Sequence, residues 1–221
     1  MNIKEGIEKR FSVRAFTDEV PSMDIIKEIL ITANSAPSGG NIQPWKVYVL
    51  NEESKQALAE KTLHNFDNGV QEEIEYDIYP KPLADEYKKR RYECGADMYK
   101  ALSIEKDDLD SRFKQIRENY NFFGAPLGMI ITIDRSFGKN GWGHVGMFLE
   151  NLWLSAIDKG LGLCLQESWS IYPKTVKEIT KHPDNEIVWC GVAIGYEDKE
   201  DPINQYRTRR EELESFVRFV E

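Results

Sequence analysis

Two clusters of arginines lie at opposite ends of the sequence, and each stands beside a hydroxyl or amide side chain. A guanidinium group binds phosphate through two parallel hydrogen bonds, so both clusters could hold one anion if the fold joins them. Alternation with Phe11 and Val13 directs the first cluster to one side of the chain. Either cluster alone could instead be a solvated run of charge. The members are Arg10, Ser12 and Arg14 in the first cluster and Asn204, Arg207, Arg209 and Arg210 in the second.

A loop of small and polar residues lies between the clusters, at residues 36–45, with the sequence Ala-Pro-Ser-Gly-Gly-Asn-Ile-Gln-Pro-Trp. Its two glycines let the backbone approach a ligand closely. Ser38, Asn41 and Gln43 offer donors and acceptors that suit a polar heterocycle. A plain helix-to-strand connection is the alternative, and it explains this composition less well.

Several common catalytic signatures are absent from the sequence. We find no dinucleotide-binding glycine motif, P-loop, His-Glu-x-x-His, Gly-x-Ser-x-Gly or closely spaced cysteine pair, and therefore expect no metal site. The three histidines are far apart. We expect His64 and His182 at the surface, and His144, placed at the start of a buried helix, as a cap or an interior group.

Composition limits the classes of protein that the chain can represent. Its 221 residues are 41% hydrophobic, enough for one compact domain over residues 1–221. With 38 acids and 29 bases, the net charge of -9 argues against binding to nucleic acid or anionic membranes. No apolar run approaches the roughly 20 residues of a membrane helix. Three scattered cysteines and a polar N-terminus predict a reduced, cytoplasmic protein.

The apolar pattern predicts a mixture of helices and strands. Helices are expected from residue 21 to 33 and from 53 to 64, and strands at 45–50, 127–133 and 186–194. Residues 145–157 are apolar nearly all round, which predicts a fully buried helix. We expect the polar, tyrosine-rich residues 65–119 to form a helical insertion or lid. The apolar tail, 211–221, should pack on a second subunit.

Three motifs, in this order, resemble those of the FMN-dependent nitroreductase family. Two further segments, 119–126 and 160–169, look like the branch that contains nitrobenzene and nitrobenzoate reductases, and the resemblance covers almost the whole chain. The three motifs are Arg-Phe-Ser-Val-Arg at 10–14, the loop at 36–45, and Gly-Tyr-Glu-Asp at 195–198 followed by Asn-Gln-Tyr-Arg-Thr-Arg-Arg at 204–210.

The resemblance implies a site for FMN and assigns residues to it. Arg14 would lie near the flavin N1 and C2 carbonyl, and the backbone N–H of Glu167 would point at flavin N5. The loop would reach the flavin of the partner subunit through Pro37, Ser38, Gly39 and Asn41, with Gln43 near the ring or ribityl chain. The other implied residues are Arg10, Ser12, Arg207 and Arg210 at the phosphate, with Phe11 in the same motif, Asn121 at the pyrimidine edge, and Gln166 and Ser168 beside Glu167.

The resemblance also implies a fold and an activity. The fold would be α+β, a mostly antiparallel central sheet wrapped by helices, in a homodimer that exchanges C-terminal strands. NADH or NADPH would pass hydride to flavin N5 and leave, and a small-molecule electron acceptor, a nitroaromatic or a quinone, would then bind in its place. A flavin-dependent dehalogenase or ene-reductase is the alternative on the same fold. A flavin-binding or sensing module without turnover is the alternative that is not an enzyme.

Overall fold

A computed structural model describes residues 2–220, which form nine α-helices and four β-strands. The predicted strands are all present, at nearly the predicted bounds. The helices are α1 (Ile3–Lys9), α2 (Met23–Ala33), α3 (Glu52–Asp67), α4 (Asp85–Ala101), α5 (Leu109–Arg117), α6 (Lys139–Asp158), α7 (Pro173–Thr180), α8 (Pro202–Gln205) and α9 (Leu213–Phe216). The strands are β1 (Trp45–Leu50), β2 (Leu127–Asp134), β3 (Gly162–Gln166) and β4 (Glu186–Gly195).

The four strands form one antiparallel sheet in the order β1-β2-β4-β3. The inner strands β2 and β4 are buried along almost their whole length, which explains their continuous apolar runs. A bulge at Ile131/Thr132 shifts the register between them. Gly191 in β4 is needed because a Cβ there would come within 2.1 Å of the Trp169 ring. This confirms the predicted α+β class and antiparallel sheet.

Helices cover both faces of the sheet. On one face, α2 and α6 pack against alternate side chains of β2 and β4 in a core that includes Ile29, Phe148 and Ile131. On the other face, α3 and α7 enclose a second core around Trp169 and Phe122. Asparagine and serine N-caps start two of these helices, since Asn51 accepts from the Ser54 N–H and Ser22 from that of Ile25.

Helix α6 differs from its prediction in two ways. It begins at Lys139, not at residue 145, because its polar, glycine-containing first turns carry no apolar periodicity. His144 therefore lies inside the helix rather than at its start. The expectation that the helix is buried all round is also wrong for the single chain, in which Met147 is 38% exposed and Gly143 and Gly146 are exposed.

The insertion and the tail lie on the outside of this core. Helices α4 and α5 contain no buried residue. Beyond α9 the tail forms no strand in the described part of the single chain, and its Phe216, Phe219 and Val220 are 70%, 85% and 95% exposed. The predicted strand exchange stays a prediction, and Glu221 lies outside the described residues. Within residues 2–220, no helix has the length and apolar character needed to cross a bilayer.

Candidate functional site

Asn204 joins the N-terminal and C-terminal arginine segments. Its Oδ1 accepts a hydrogen bond from the Arg14 main-chain N–H at 2.9 Å, and its Nδ2 donates to the carbonyls of Ala15 and Asp198 at 2.8 and 2.7 Å. The side chain is 1% exposed, and the Asp201 cap that starts α8 fixes its position. Asn204 and Arg207 of the second cluster therefore lie beside the first cluster in the fold, although almost 200 residues separate them in sequence.

We call the place where Asn204 joins the two arginine segments the junction. Its arginines are only partly neutralised by the protein. The Arg207 guanidinium lies 3.5 Å from the centre of the Phe11 ring and donates to the carbonyls of Asn204 and Tyr206. Arg14 donates to the Ser12 carbonyl at 3.5 Å. Arg10 stacks on Trp153 and approaches Glu150 only to 3.7 Å. In an acidic chain, such an excess of local positive charge favours a bound anion.

The first motif also lies against strand β3. Ser12 pairs with Leu163 in a parallel bridge, and the Val13 N–H donates to the Leu163 carbonyl at 3.1 Å. Burial raises the pKa of the Cys164 thiol, whereas the nearby Arg14 charge and the Ser12 hydroxyl act in the opposite direction. Ser12 and Arg14 thus face the strand that leads into the Gln166–Ser168 segment.

The Gln166 side chain is already occupied by the protein. Its Nε2 donates to the Asn119 carbonyl at 2.6 Å, and its Oε1 accepts from the Trp169 indole at 3.3 Å. It therefore connects the end of β3 to the segment 119–123 rather than presenting a free amide. Arg14 reaches the same segment, with its guanidinium 6.0 Å from the Phe123 ring.

Glu167 and Ser168 follow β3 directly, and each has a polar side-chain group that is partly or fully shielded from water. The Ser168 Oγ is shielded from solvent and has no hydrogen-bond partner among residues 2–220. The Glu167 side chain retains solvent exposure, yet the surrounding protein displaces enough water to raise the pKa of its carboxyl. Tyr76 from the insertion lies nearby, with its hydroxyl on the Trp189 carbonyl at 2.5 Å and its ring against Trp142.

The loop at residues 37–43 is ordered by its own contacts and by α6. The Ser38 Oγ accepts from the Gln43 N–H at 3.0 Å, while Gly40, Asn41 and Gln43 adopt positive φ angles of 60°, 55° and 49°. The Gly39 N–H donates to His144 Nε2 at 3.1 Å. Pro37 and Asn41 are exposed. No hydrogen bond or ion pair among residues 2–220 joins this loop to Arg10, Arg14, Arg207 or Arg210.

Two other predicted residues lie at the edge of the junction. Asn121 is exposed and donates to Glu118 at 3.1 Å, just before Phe122 and Phe123, both of which have positive φ. Arg210 is exposed and donates to Thr208 and to the Arg209 carbonyl, beside α4 rather than beside Arg10. A cavity of about 720 Å³ lies next to the crossing of the two segments, lined among others by Phe11, Trp153 and Arg207.

These residues suit a phosphate-bearing cofactor such as FMN. Arg14, Arg207 and Arg210 donate to main-chain carbonyls or to Thr208, not to carboxylates, in the described part of the chain, so their charge is available to an anion. The unpartnered Ser168 Oγ offers a hydrogen bond at the end of β3. Together they match both parts of the cofactor, an anionic phosphate and a polar ring.

Three residues make contacts between distant segments that no sequence pattern predicts. The prediction that His182 lies at the surface is wrong, because this residue is 3% exposed. Lys181 ends α7 with φ 55° and turns the chain inward, and the imidazole then meets the Thr180 hydroxyl at 2.7 Å and the Tyr48 ring. The role of His144 in holding Gly39 was not predicted. Asn204 was noted in the cluster, but its clamping role has no signature in sequence.

Comparison with known proteins identifies the family. The model of the nitroreductase family matches residues 7–196. A 4-nitrobenzoate reductase from Nocardioides sp. (strain LMS-CY) is 34% identical over 96% of this chain and 87% of its own length. A nitrobenzene nitroreductase from Ectopseudomonas oleovorans is 32% identical over 99% and 96% of the two chains. The crystal structure of the FMN and NADPH-dependent nitroreductase NfnB from sphigopyxis sp. strain HMH superposes with a TM-score of 0.96 at 34% identity, covering all of both chains. The chain belongs to the nitroreductase family.

Proposed function

We propose that the chain is an FMN-dependent NAD(P)H oxidoreductase that reduces nitroaromatic compounds, with quinones as further acceptors. The junction at Asn204 is the observation that carries the proposal, since it brings two arginine segments together and leaves Arg14 and Arg207 without a carboxylate partner among the described residues. The relatives that are named as nitrobenzoate and nitrobenzene reductases, and the similar structure of an FMN and NADPH-dependent enzyme, support it.

The residues of the junction would divide the work of holding the cofactor. Arg10, Ser12, Arg207 and Arg210 would bind the phosphate, and Phe11 keeps Arg207 in place through ring stacking. Arg14 would set a positive charge near the flavin N1 and C2 carbonyl, and the Glu167 main-chain N–H would donate to N5. Ser168 and Asn121 would contact the polar edge of the ring. When bound, FMN supplies the transfer of electrons from a nicotinamide to the acceptor.

Protein groups outside the cofactor site support this arrangement. Gln166 fixes the end of β3 to the Asn119 carbonyl, which keeps the Glu167 N–H in one direction. Tyr76, with its hydroxyl held by the main chain of Trp189, closes one side of Glu167. These contacts would orient the cofactor, and the proposed reaction needs no acid-base pair from the protein.

We infer that the working unit is a homodimer. The exposed stripe of α6 at Met147 and the exposed apolar tail at Phe216 and Phe219 both need cover, in a chain that is otherwise strongly acidic. The loop residues Pro37, Ser38, Gly39, Asn41 and Gln43 would then complete the site of the partner subunit. Such a role agrees with the lack of any hydrogen bond or ion pair, within residues 2–220, between the loop and Arg10, Arg14, Arg207 or Arg210.

The insertion is proposed to act as a lid within a single domain spanning residues 1–221. It carries Tyr76, Tyr79, Tyr87, Tyr92 and Tyr99, and those on α4 are positioned by a helix with no buried residue. Such a helix can move at low cost, which suits the selection of acceptors. The cytoplasmic location stays a prediction from the sequence.

A spectrum and an assay test the function together. The purified protein should absorb near the flavin maximum of about 450 nm. It should also oxidise NADH or NADPH when 4-nitrobenzoate or nitrobenzene is supplied. Halophenols and enones, tested in parallel, should be poor acceptors. Bound FMN without nicotinamide oxidation in the presence of any acceptor would instead indicate a binding module.

A further inference from the structure

Residues 206–211, which follow α8, have side chains that point in two directions; we call this stretch the segment. Arg207 lies on the Phe11 ring of the proposed phosphate site. Tyr206 and Arg209, on either side of it, contact α4 of the insertion instead. The Tyr206 hydroxyl donates to the Cys94 carbonyl at 3.0 Å and lies 3.5 Å from its Sγ, and Arg209 Nη2 pairs with Asp97 Oδ1 at 2.7 Å. We call the Tyr206–Cys94 and Arg209–Asp97 contacts the latch.

Helix α4 depends on surface contacts of this kind. None of its residues is buried, so no apolar core fixes its position. The Asp97 side chain is 26% exposed and that of Arg209 is 68% exposed, so the ion pair is shielded from solvent on the Asp97 side only. Arg90 and Glu211 add a third contact between the same two segments at 2.8 Å. The latch therefore joins a helix without buried residues to the segment that carries Arg207 and Arg210.

We propose that Asp97 and Tyr206 are positioning residues for the phosphate site, and that cofactor binding is coupled through the latch to the position of α4. The inference rests on the proposed function, because it needs Arg207 and Arg210 to bind the FMN phosphate. Coupling of this kind is reciprocal. If FMN binding orders the segment and thereby holds α4, then loosening α4 must weaken FMN binding by the same factor.

Simple electrostatics predicts the opposite sign, which makes the inference testable. Asp97 is a negative charge beside the segment that would receive a phosphate dianion. If it acted only through its charge, its removal would tighten FMN binding. If it acts by positioning, its removal weakens binding in spite of the charge gained. Asp97→Asn keeps the shape of the side chain and separates these effects.

Glu93 provides the matched control. It lies one turn before Asp97 on α4 and lines the same cavity as Arg209, but its carboxylate approaches Lys89 of the same helix at 3.9 Å and makes no hydrogen bond or ion pair with the tail in the described part of the chain. Glu93→Gln removes the same charge without touching the latch. We expect FMN dissociation constants, measured by fluorescence titration of the apo dimer, to rise about 3- to 10-fold in Asp97→Asn and to stay equal or fall in Glu93→Gln. Equal or tighter binding in Asp97→Asn overturns the proposal.

A charge exchange tests whether FMN affinity depends on the contact between Asp97 and Arg209 or on each residue alone. In Asp97→Arg/Arg209→Asp the pair is rebuilt in the reverse order at unchanged net charge. We expect it to recover most of the FMN affinity lost in Asp97→Asn. If Arg209 bound the phosphate directly, the exchanged protein would bind FMN more weakly than Asp97→Asn, and the latch would be wrong.

Cys94 gives a second readout that does not depend on activity. It is exposed, whereas Cys164 and Cys190 are buried, so a thiol reagent added to the folded protein reports on Cys94. We expect saturating FMN to slow the labelling of Cys94 severalfold in the wild type and to leave it unchanged in Asp97→Asn. Identical labelling of the wild type with and without FMN overturns the coupling. A wild type that binds no FMN at all overturns the proposed function itself, and a wild type that binds FMN without these effects overturns only the latch.

Discussion

The main-chain N–H of Arg14 donates to Oδ1 of Asn204 at 2.9 Å, which joins two residues that are 190 positions apart. The same side chain donates to the carbonyl of Ala15, so both polar ends of one buried amide are used on the first motif. This contact makes one site from the two ends of the chain.

Replacement of Asn204 by Ala should destabilise the fold. It removes the hydrogen bonds to the Arg14 N–H and the Asp198 carbonyl in a partly buried place, and it leaves the Ala15 carbonyl only the Asp198 N–H, which costs about 2 to 4 kcal/mol of unfolding free energy. Urea unfolding of the apo protein measures the loss. The neighbouring exposed Gln205 is the control, and Gln205→Ala should stay within about 0.5 kcal/mol of the wild type. Equal midpoints for the two variants would contradict the clamp.

Replacement of Arg10 or Arg210 should weaken cofactor binding and leave the stability of the fold unchanged. If both residues bind the phosphate as proposed, Arg10→Ala and Arg210→Ala each remove a charge-assisted contact worth about 1.5 to 3 kcal/mol, which corresponds to roughly 10- to 150-fold weaker FMN binding. Arg117→Ala is the control, because Arg117 is bound to Asp67 at the end of the insertion. Titration of apo protein at limiting FMN should show the loss in the first two variants alone. Unchanged FMN occupancy in both would remove them from the phosphate site.

The sequence predicted those parts of the fold that depend on local pattern. The strands at 45–50, 127–133 and 186–194 were predicted nearly to the residue, because the inner strands β2 and β4 have long apolar runs and the edge strand β1 is rich in β-branched and aromatic residues. The start of α6 was missed because Lys139 to His144 continue the helix without any apolar period. Patterns of hydrophobicity record which side chains are buried, and a helical turn that is exposed leaves no such record.

The site residues were predicted from sequence motifs. The features that were not predicted are contacts between segments that are distant in sequence. The meeting of the two arginine segments was inferred from chemistry, since one anion explains two clusters in an acidic chain. His182 was misjudged because the neighbouring Lys181 and Asp184 are polar, while the inward turn depends on a single left-handed residue. The pairing of Asp97 with Arg209 could not be read from sequence, because ion pairs across 112 residues have no periodic signal.

Burial of His182 should make the protein less stable in mild acid. Burial and the Lys177 charge lower the pKa of this imidazole from its ordinary 6.5, with Arg135 acting in the same direction and Glu186 and Glu75 opposing. The unfolded chain therefore binds a proton more tightly than the folded chain, and stability falls as the pH drops below about 6.5. His182→Gln should remove this part of the slope. Urea midpoints at pH 7.5, 6.5 and 5.5 should fall more in the wild type than in the variant, and parallel curves would contradict the assignment.

Loss of the apolar tail should weaken subunit association. Phe216 and Phe219 are 70% and 85% exposed in the single chain, which a homodimer would cover. We expect Phe216→Ser/Phe219→Ser to raise the dimer dissociation constant at least 10-fold in sedimentation equilibrium. Leu109→Ser, which changes a residue that is 71% exposed on α5, should leave it unchanged. An FMN-loaded wild type that sediments as a monomer of 25.6 kDa would rule out the homodimer.

Arg14 should control the reduction potential of bound FMN, in contrast to the phosphate-binding arginines. Its guanidinium lies 6.0 Å from the Phe123 ring and 3.5 Å from the Ser12 carbonyl, and its charge acts on Cys164 in β3, so it faces the end of the site where the ring is expected. A fixed positive charge there favours the reduced cofactor, which carries more negative charge on N1 and the C2 carbonyl. Arg14→Ala should therefore lower the midpoint potential.

The expected size of this shift allows a clear measurement. Each 1.4 kcal/mol corresponds to about 30 mV for a two-electron couple, so a loss of about 1 to 3 kcal/mol lowers the potential by about 20 to 65 mV. Arg14→Lys keeps the charge and should retain most of the wild-type potential. Arg10→Ala should weaken FMN binding and leave the potential nearly unchanged, because a phosphate contact does not distinguish the two redox states. Spectroelectrochemical titration of the three FMN-saturated variants separates these cases. If Arg14→Ala keeps the wild-type potential while its FMN affinity falls sharply, Arg14 belongs with Arg10 at the phosphate.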